Sequence, residues 1–81
     1  MNPVIFYKSY CPFSIKGREL LHSHFKHVKE VKCDDKTFWQ DFKKDMEKHG
    51  RTIETTPVIF INGVYIGNEK ALKRMLKSEV D

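Results

Sequence analysis

Short apolar runs alternate along the chain with segments whose apolar residues recur every three or four positions. Residues 4–7 form the first such run, and their β-forming side chains fit a buried strand. In residues 12–26 the small and apolar residues Gly17, Leu21 and Phe25 recur at intervals of four. This spacing predicts a helix over residues 12–26.

The start of that helix carries specific signals. Cys11 stands at the predicted cap, and Pro12 suits the first helical position, where a missing N–H group costs nothing. Gly17 disfavours a helix interior, so its presence there predicts a close approach between the helix and another part of the fold.

The middle of the chain repeats the alternation of strand and helix. Residues 28–33 predict a second, weaker strand, and Asp34 and Asp35 then offer a helix cap. The following helix is expected to end near Gly50. Its predicted core side chains are Phe38, Trp39, Phe42 and Met46.

A hairpin is the clearest local signal. Residues 57–61 and 64–67 are rich in β-formers, and Asn62 and Gly63 between them both tolerate the positive φ of a type I′ turn. A last helix follows the hairpin. Its predicted inner face carries Ala71, Leu72, Met75 and Leu76.

The resulting element order is β-α-β-α-β-β-α. The opening strand–helix–strand unit implies a parallel pair with a right-handed crossover, and the hairpin adds an antiparallel pair. We therefore expect an α/β fold with a four-stranded mixed sheet and helices on both faces.

Composition narrows the class of protein. The chain has 81 residues, 40% hydrophobic and 32% charged, as is typical of one soluble domain over residues 1–81. The net charge of +4 comes from lysines spread along the chain, which favours a solvated basic surface over a nucleic-acid interface. No apolar run approaches the roughly 20 residues of a membrane helix, and no secretory signal is visible. We expect a cytoplasmic protein with no membrane partner and with reduced cysteines.

Cys11 is the main candidate for chemistry. A thiolate, rather than a thiol, is the nucleophile. The start of a helix favours the anion through its dipole and through free backbone N–H groups, here those of Phe13 and Ser14. Lys8 adds a positive charge nearby. These features predict a lowered pKa for Cys11 and a reactive thiol at the rim of the fold.

Two motifs taken together resemble those of the glutaredoxins. The first is Lys8-x-x-Cys11-Pro12-Phe13-Ser14, and the second is Thr55-Thr56-Pro57 leading into the hairpin that ends at Gly67. The element order is similar over nearly the whole chain. The resemblance implies a thioredoxin-like fold and glutathione-dependent reduction of protein–glutathione mixed disulfides. It also implies a monomer with glutathione as co-substrate, glutathionylated or disulfide-containing proteins as partners, and no metal.

The resemblance further implies roles for single residues. Pro57 would be a cis-proline facing the thiol, and the backbone of Thr56 would pair with glutathione as with an added strand. Lys8 would bind the glycyl carboxylate. The implied catalytic residues are Cys11 and Ser14, and the implied glutathione-binding residues are Lys8, Tyr10, Phe13, Thr56, Pro57, Asn68 and Glu69.

The segment that follows the last predicted strand, residues 67–71, departs from the family pattern. Lys70 and Ala71 stand where glutaredoxins usually carry acidic residues, which leaves Glu69 as the candidate for the γ-glutamyl ammonium. Lys43 and Arg51 are candidates for a second cation that binds glutathione. We therefore expect the contacts between glutathione and this segment to be weakened or altered.

Ser14 decides between two mechanisms. A dithiol glutaredoxin has a second cysteine at this position, so the present sequence implies a monothiol route through Cys11. Ser14 could donate a hydrogen bond to the Cys11 thiolate. The sequence leaves open whether Ser14 replaces a natural cysteine, in which case dithiol reduction of protein disulfides would return.

Two further functions are alternatives to the reduction of protein–glutathione mixed disulfides. Some monothiol glutaredoxins carry a [2Fe–2S] cluster between two subunits. Those proteins typically have Cys-Gly-Phe-Ser and a longer loop between the lysine and the cysteine, whereas this chain has Pro12 and only two residues after Lys8. A non-catalytic thioredoxin-fold binding module is the other alternative.

The remaining cysteine, histidines and aromatics favour structural roles. Cys33 is predicted to be a small core or rim residue, with a regulatory thiol or a dimer-forming disulfide as alternatives. The histidines lack the paired spacings of a zinc site. These are His22, His24 and His27, which we interpret as polar helix surface.

Overall fold

The structure, a computed structural model, describes residues 2–80 and the side chains of residues 2–77. The strands are β1 (Pro3–Tyr7), β2 (Lys29–Lys32), β3 (Val58–Ile61) and β4 (Val64–Gly67), and the helices are α1 (Pro12–His24), α2 (Lys36–Lys48) and α3 (Glu69–Val80). The order β-α-β-α-β-β-α confirms the prediction from sequence. No helix of residues 2–80 has the length and apolar character needed to cross a bilayer.

The four strands form one mixed sheet in the order β2-β1-β3-β4. β1 and β2 run parallel, whereas β3 is antiparallel to both β1 and β4. The predicted turn joins β3 to β4, with φ angles of 53° at Asn62 and 75° at Gly63. Both residues tolerate this left-handed region, which is why the short hairpin can close.

The sheet separates two apolar clusters. Since side chains alternate along a strand, Ile5 and Ile59 point to one face while Phe6 and Val58 point to the other. On the first face Leu21 of α1 and Leu72 of α3 complete the core. On the second face the cluster contains Cys33, Trp39, Met46, Ile53 and Val58.

Gly17 confirms the predicted close approach of α1 to the rest of the fold. A Cβ atom at this position would lie 3.2 Å from Pro57 Cγ and 3.4 Å from Ile5 Cδ1. The missing side chain therefore lets α1 lie directly against the loop that precedes β3, and this contact connects two parts of the site described below.

Three predicted details are wrong. α1 ends at His24, because Phe25 turns into an extended conformation and packs against the first core cluster. β2 covers only Lys29–Lys32. Phe38, predicted as core, is 44% exposed, because the inner face of α2 is centred on Trp39 and Met46 and Phe38 lies to one side of it.

Candidate active site

The thiol of Cys11 lies where β1 gives way to α1. Cys11 is the N-cap residue of α1, with extended φ and ψ of −89° and 118°, and Pro12 follows at the first helical position. The N–H group of Cys11 donates to the carbonyl oxygen of Lys8 at 3.1 Å, closing a tight turn before the helix. Cys11 is partly exposed, so its sulfur is accessible at the rim of the sheet.

The segment before β3 faces this thiol. The peptide bond between Thr56 and Pro57 is cis, as the resemblance implied. The Cys11 thiol donates to the carbonyl oxygen of Thr56, with an S–O distance of 3.5 Å. Thr56 and Pro57 are themselves buried, which fixes the backbone beside the thiol.

The pKa of Cys11 is lowered from its ordinary value. Partial burial acts to raise it, but hydrogen bonds from the Thr56 side chain, from the N–H and hydroxyl groups of Ser14 and from the Phe13 N–H group outweigh that effect. The predicted donors at the helix start therefore act on the thiolate. A larger thiolate fraction at neutral pH makes Cys11 a better nucleophile and a better leaving group.

Lys8 does not act on Cys11 as we predicted. Its ammonium lies 4.5 Å from the centre of the Trp39 ring, in a cation–π contact. Its charge instead lowers the pKa of Cys33, against a larger opposing effect of burial. The aromatic ring directs the ammonium towards the second face of the sheet, so the lowered pKa of Cys11 arises from hydrogen bonds.

Ser14 is completely buried beneath the thiol, one helical turn into α1. Its Oγ atom accepts a hydrogen bond from the backbone N–H group of Lys8 at 3.3 Å. The hydroxyl proton remains for the Cys11 sulfur, consistent with the lowering of that pKa by the Ser14 side chain. Ser14 thus connects the turn before the nucleophile with the nucleophile itself.

A small pocket opens next to the thiol. Its volume is about 150 Å³, and Thr56 is both one of its walls and a contact of Cys11. Tyr10 and Phe13 flank the thiol region with 67% and 53% exposure, so they present apolar surface at the rim. The pocket is lined by Phe13, Thr55, Thr56, Asn68, Glu69 and Lys70.

Glu69, the candidate partner for an ammonium group, is already paired. Its side chain is almost completely buried, and its carboxylate accepts from Lys73 Nζ at 3.0 Å, one turn further along α3. Asn68 caps the same helix, since its Oδ1 atom accepts from the N–H group of Ala71 at 3.0 Å. The polar side of the pocket is therefore an ordered helix start that carries one exposed lysine, Lys70.

The candidates for a second cation lie elsewhere. The Arg51 guanidinium stacks over the Tyr65 ring at 4.6 Å and lines a different pocket, together with His49 and Val64. Lys43 is half-buried on α2. Arg51 is thus not brought to the pocket beside the thiol.

One site residue was missed from the sequence. Asp34 follows β2, and both of its carboxylate oxygens accept hydrogen bonds from Ser9, two positions before Cys11. The sequence suggested only a helix cap here, and the cap is the neighbouring Asp35, which accepts from the Phe38 N–H group. The available signal was the topology, because parallel strands such as β1 and β2 end at the same edge of a sheet.

Cys33, His22 and His24 have structural contacts, whereas His27 lies beyond the end of α1, so its interpretation as helix surface is wrong. Cys33 is fully buried in the second core cluster, and burial raises its pKa. His22 pairs with the Glu30 carboxylate at 2.7 Å, and His24 contacts the carbonyl oxygen of Leu20. Within the described part of the chain, no group of three metal-ligating side chains comes together.

A cysteine at the start of the first helix, set against a cis-proline in a thioredoxin-like sheet, defines a class of thiol–disulfide oxidoreductases. Comparison with known proteins narrows the class. The chain belongs to the glutaredoxin family, whose model matches residues 4–66.

Individual relatives agree with this family. A glutaredoxin-like protein of Encephalitozoon cuniculi is 35% identical over 71 residues, which are 85% of this chain and 50% of that protein. The chain thus spans about half the length of this curated relative. Glutaredoxin 1 of Francisella tularensis, crystallised with cacodylate, matches with a TM-score of 0.87 at 23% identity, over 98% of this chain and 95% of its own. A buckwheat glutaredoxin–glutathione complex matches with a TM-score of 0.80 at 19% identity, over 95% of this chain and 69% of its own.

Proposed function

We propose that this protein reduces protein–glutathione mixed disulfides by a monothiol mechanism, with Cys11 as the nucleophile and glutathione as co-substrate. The observation that carries the proposal is the Cys11 thiol with its lowered pKa, held at the start of α1 against the Thr56 carbonyl group. A buried hydroxyl, that of Ser14, occupies the position where a second thiol would be needed for the dithiol route.

The reaction proceeds by two thiol–disulfide exchanges. The Cys11 thiolate attacks the glutathione sulfur of the mixed disulfide, a bond forms between Cys11 and glutathione, and the substrate protein leaves as a thiolate that takes up a proton. A second glutathione, as its thiolate, attacks the glutathione sulfur on Cys11. Glutathione disulfide leaves and the Cys11 thiolate is regenerated. The free glutathione is oxidised as the substrate thiol is reduced, whereas the sulfur of the first glutathione remains at the disulfide level throughout.

The pocket beside Cys11 is the proposed place for glutathione. Thr56 borders the pocket, and its backbone is where an extended tripeptide would pair as an added strand. The solved complex of the buckwheat glutaredoxin with glutathione supports this choice of ligand. Phe13 and Asn68 would contact the tripeptide, and Lys8 would have to leave the Trp39 ring to reach its glycyl carboxylate.

The γ-glutamyl end would bind differently from the family pattern. Its carboxylate suits the start of α3, where free N–H groups and the helix dipole favour an anion. Its ammonium would have to share the Glu69 carboxylate with Lys73. We therefore propose that the KM for glutathione is higher than it would be if the Glu69 carboxylate were unpaired. We also propose that the enzyme is monomeric and cytoplasmic.

The test is turnover of a glutathionylated peptide with glutathione as reductant. We expect the wild-type chain to release the peptide thiol and Cys11→Ala to be inactive. Cys33→Ala should retain activity because Cys33 is fully buried in the second core cluster. Retained activity of Cys11→Ala would exclude the nucleophile. Absence of turnover by the folded wild-type protein would exclude the reaction itself.

A further inference from the structure

Asp34 holds the segment that leads into the nucleophile. The backbone N–H group of Ser9 donates to Oδ1 of Asp34 at 2.8 Å, and the Ser9 hydroxyl donates to Oδ2. Both carboxylate oxygens thus accept from Ser9, two positions before Cys11, and the Lys32 ammonium lies 3.9 Å from Oδ2. Hydrogen bonds to an ionised acceptor are stronger than those between neutral groups, so this pair is a firm attachment.

The topology brings Asp34 to this place. Tyr7 and Lys32, the last residues of β1 and β2, are partners in the parallel register, and the Cys33 N–H group extends the pairing by donating to the Tyr7 carbonyl oxygen at 2.7 Å. The segments that follow the two strands therefore leave the sheet side by side. Ser9 and Asp34 each lie two residues beyond the last strand pair, where they meet.

The turn between β1 and α1 is held on both sides. On its inner side, the Lys8 N–H group donates to Ser14 Oγ, and the Cys11 N–H group donates to the Lys8 carbonyl oxygen. On its outer side the anchor is Asp34, acting through Ser9. Since Cys11 is the helix cap, a shift of this turn would move its sulfur relative to the helix N–H groups and to Thr56.

We propose that Asp34 is a positioning residue for Cys11, which acts by clamping Ser9 and thereby fixes the turn that presents the thiol to the N–H groups of α1. For turnover this inference rests on the proposed function, whereas the reactivity of the thiol tests it independently. The hydrogen bonds from Ser9 hold the pKa of Asp34 below its usual value, with smaller effects of Lys32 and Lys8, so the carboxylate is ionised at neutral pH.

The negative charge of Asp34 and its positioning role would change the Cys11 pKa in opposite directions, so an experiment can separate the two. As a negative charge, Asp34 would disfavour a nearby thiolate, so its removal would lower the Cys11 pKa. As a clamp, it maintains the contacts that stabilise the thiolate, so its removal would raise that pKa. The sign of the change therefore identifies the role.

The experiment compares Asp34→Asn, Asp34→Ala, Ser9→Ala and the conservative Ser9→Thr with the wild-type protein. The rate of Cys11 alkylation by iodoacetamide is followed against pH, with the modified site assigned by mass, and kcat and KM are measured on a glutathionylated peptide. We expect both Asp34 variants to raise the apparent Cys11 pKa and to lower kcat about tenfold with KM little changed, because small misplacements of reacting groups are costly.

The Ser9 variants test the partner. Ser9→Thr should keep the reactivity of the wild-type protein, and Ser9→Ala should fall between the wild-type protein and Asp34→Ala because it keeps the N–H donor. The double variant of Ser9→Ala with Asp34→Ala should be no worse than Asp34→Ala alone, as expected for two residues that act as one unit.

Asp35→Ala is the matched control. It removes the cap of α2, so its Tm should fall, but it leaves the Ser9 contact intact and should not change the Cys11 pKa. A lowered Cys11 pKa in Asp34→Asn, an unchanged one, or a change equal to that in Asp35→Ala would overturn the inference. If Asp34→Ala fails to fold, Ser9→Ala gives the decision. If alkylation changes as expected but the wild-type protein turns over no glutathionylated peptide, the positioning role stands and the proposed function falls.

Discussion

The contact between Gly17 and Pro57 predicts how Gly17→Ala changes the stability of the protein. The sizes of two opposing effects, helix propensity and overpacking, decide whether the change is a gain or a loss. In an exposed helix interior, Gly→Ala stabilises by about 1 kcal/mol. At Gly17 the new Cβ atom would lie 3.2 Å from Pro57 Cγ and 3.4 Å from Ile5 Cδ1, both closer than the optimal carbon–carbon separation of about 3.5–4.0 Å. The proline ring is buried and Ile5 is fully buried, so neither can move aside freely.

Overpacking of this kind typically costs about 1–3 kcal/mol. Subtracting the gain in helix propensity leaves an expected net loss of about 1 kcal/mol in the free energy of unfolding for Gly17→Ala. For a domain of this size, that corresponds to a fall in Tm of about 4–8 °C.

Thermal and urea unfolding of Gly17→Ala are the assays, and position 19 supplies the control. Glu19 is exposed on the same helix, so the difference between Glu19→Gly and Glu19→Ala measures helix propensity without the packing effect. We expect Ala to be the more stable of that pair. If Gly17→Ala raises the Tm by as much as the control pair differs, the packing of α1 on Pro57 has been misread.

Three more predictions follow from single contacts. Leu21→Ala should lower the free energy of unfolding by about 2–5 kcal/mol in urea titrations, because Leu21 is fully buried; a loss below about 1 kcal/mol would contradict its central place in the core. The pKa of Glu30 is lowered, first because Arg18 donates two hydrogen bonds to its carboxylate and second because His22 pairs with it. The stabilisation of the fold by this ionised carboxylate is therefore present above the unfolded pKa of about 4.3 and is lost as pH falls through the folded value. Glu30→Gln should therefore be less stable than the wild-type protein at pH 7, and this difference should shrink at acidic pH; a difference that is constant with pH would refute the ion pair. Ser14→Cys should add an intramolecular disulfide to Cys11 on oxidation, seen by mass as the loss of two hydrogens, and an oxidised variant with two free thiols would contradict the geometry.

Local signals made most of the fold predictable. Asn62 and Gly63 specify their turn by their own backbone preferences, and Pro12 marks the helix start because it lacks a donor that the first turn does not need. The place of Gly17 in a helix indicated a close packing contact, although not that the partner would be Pro57. Such features depend on residues that are neighbours in the chain.

The parts that could not be predicted depend on contacts between distant residues. Proximity in the sequence suggested that Lys8 would act on Cys11, but the Trp39 ring, 31 positions away, determines where the ammonium lies. Asp34 and Asp35 are adjacent residues of the same type, yet Asp34 binds Ser9 and Asp35 caps α2. Only the register of β1 and β2 distinguishes the two.

The order of the strands leaves β2 and β4 at the two margins of the sheet, where unpaired backbone groups could recruit a strand from another molecule. β2 has only four residues, and both its first and its last are exposed lysines, Lys29 and Lys32. Bringing two such margins together would force like charges into contact, which opposes open-ended aggregation through that side. The two lysines of β2 thus disfavour edge-to-edge association of this small basic protein.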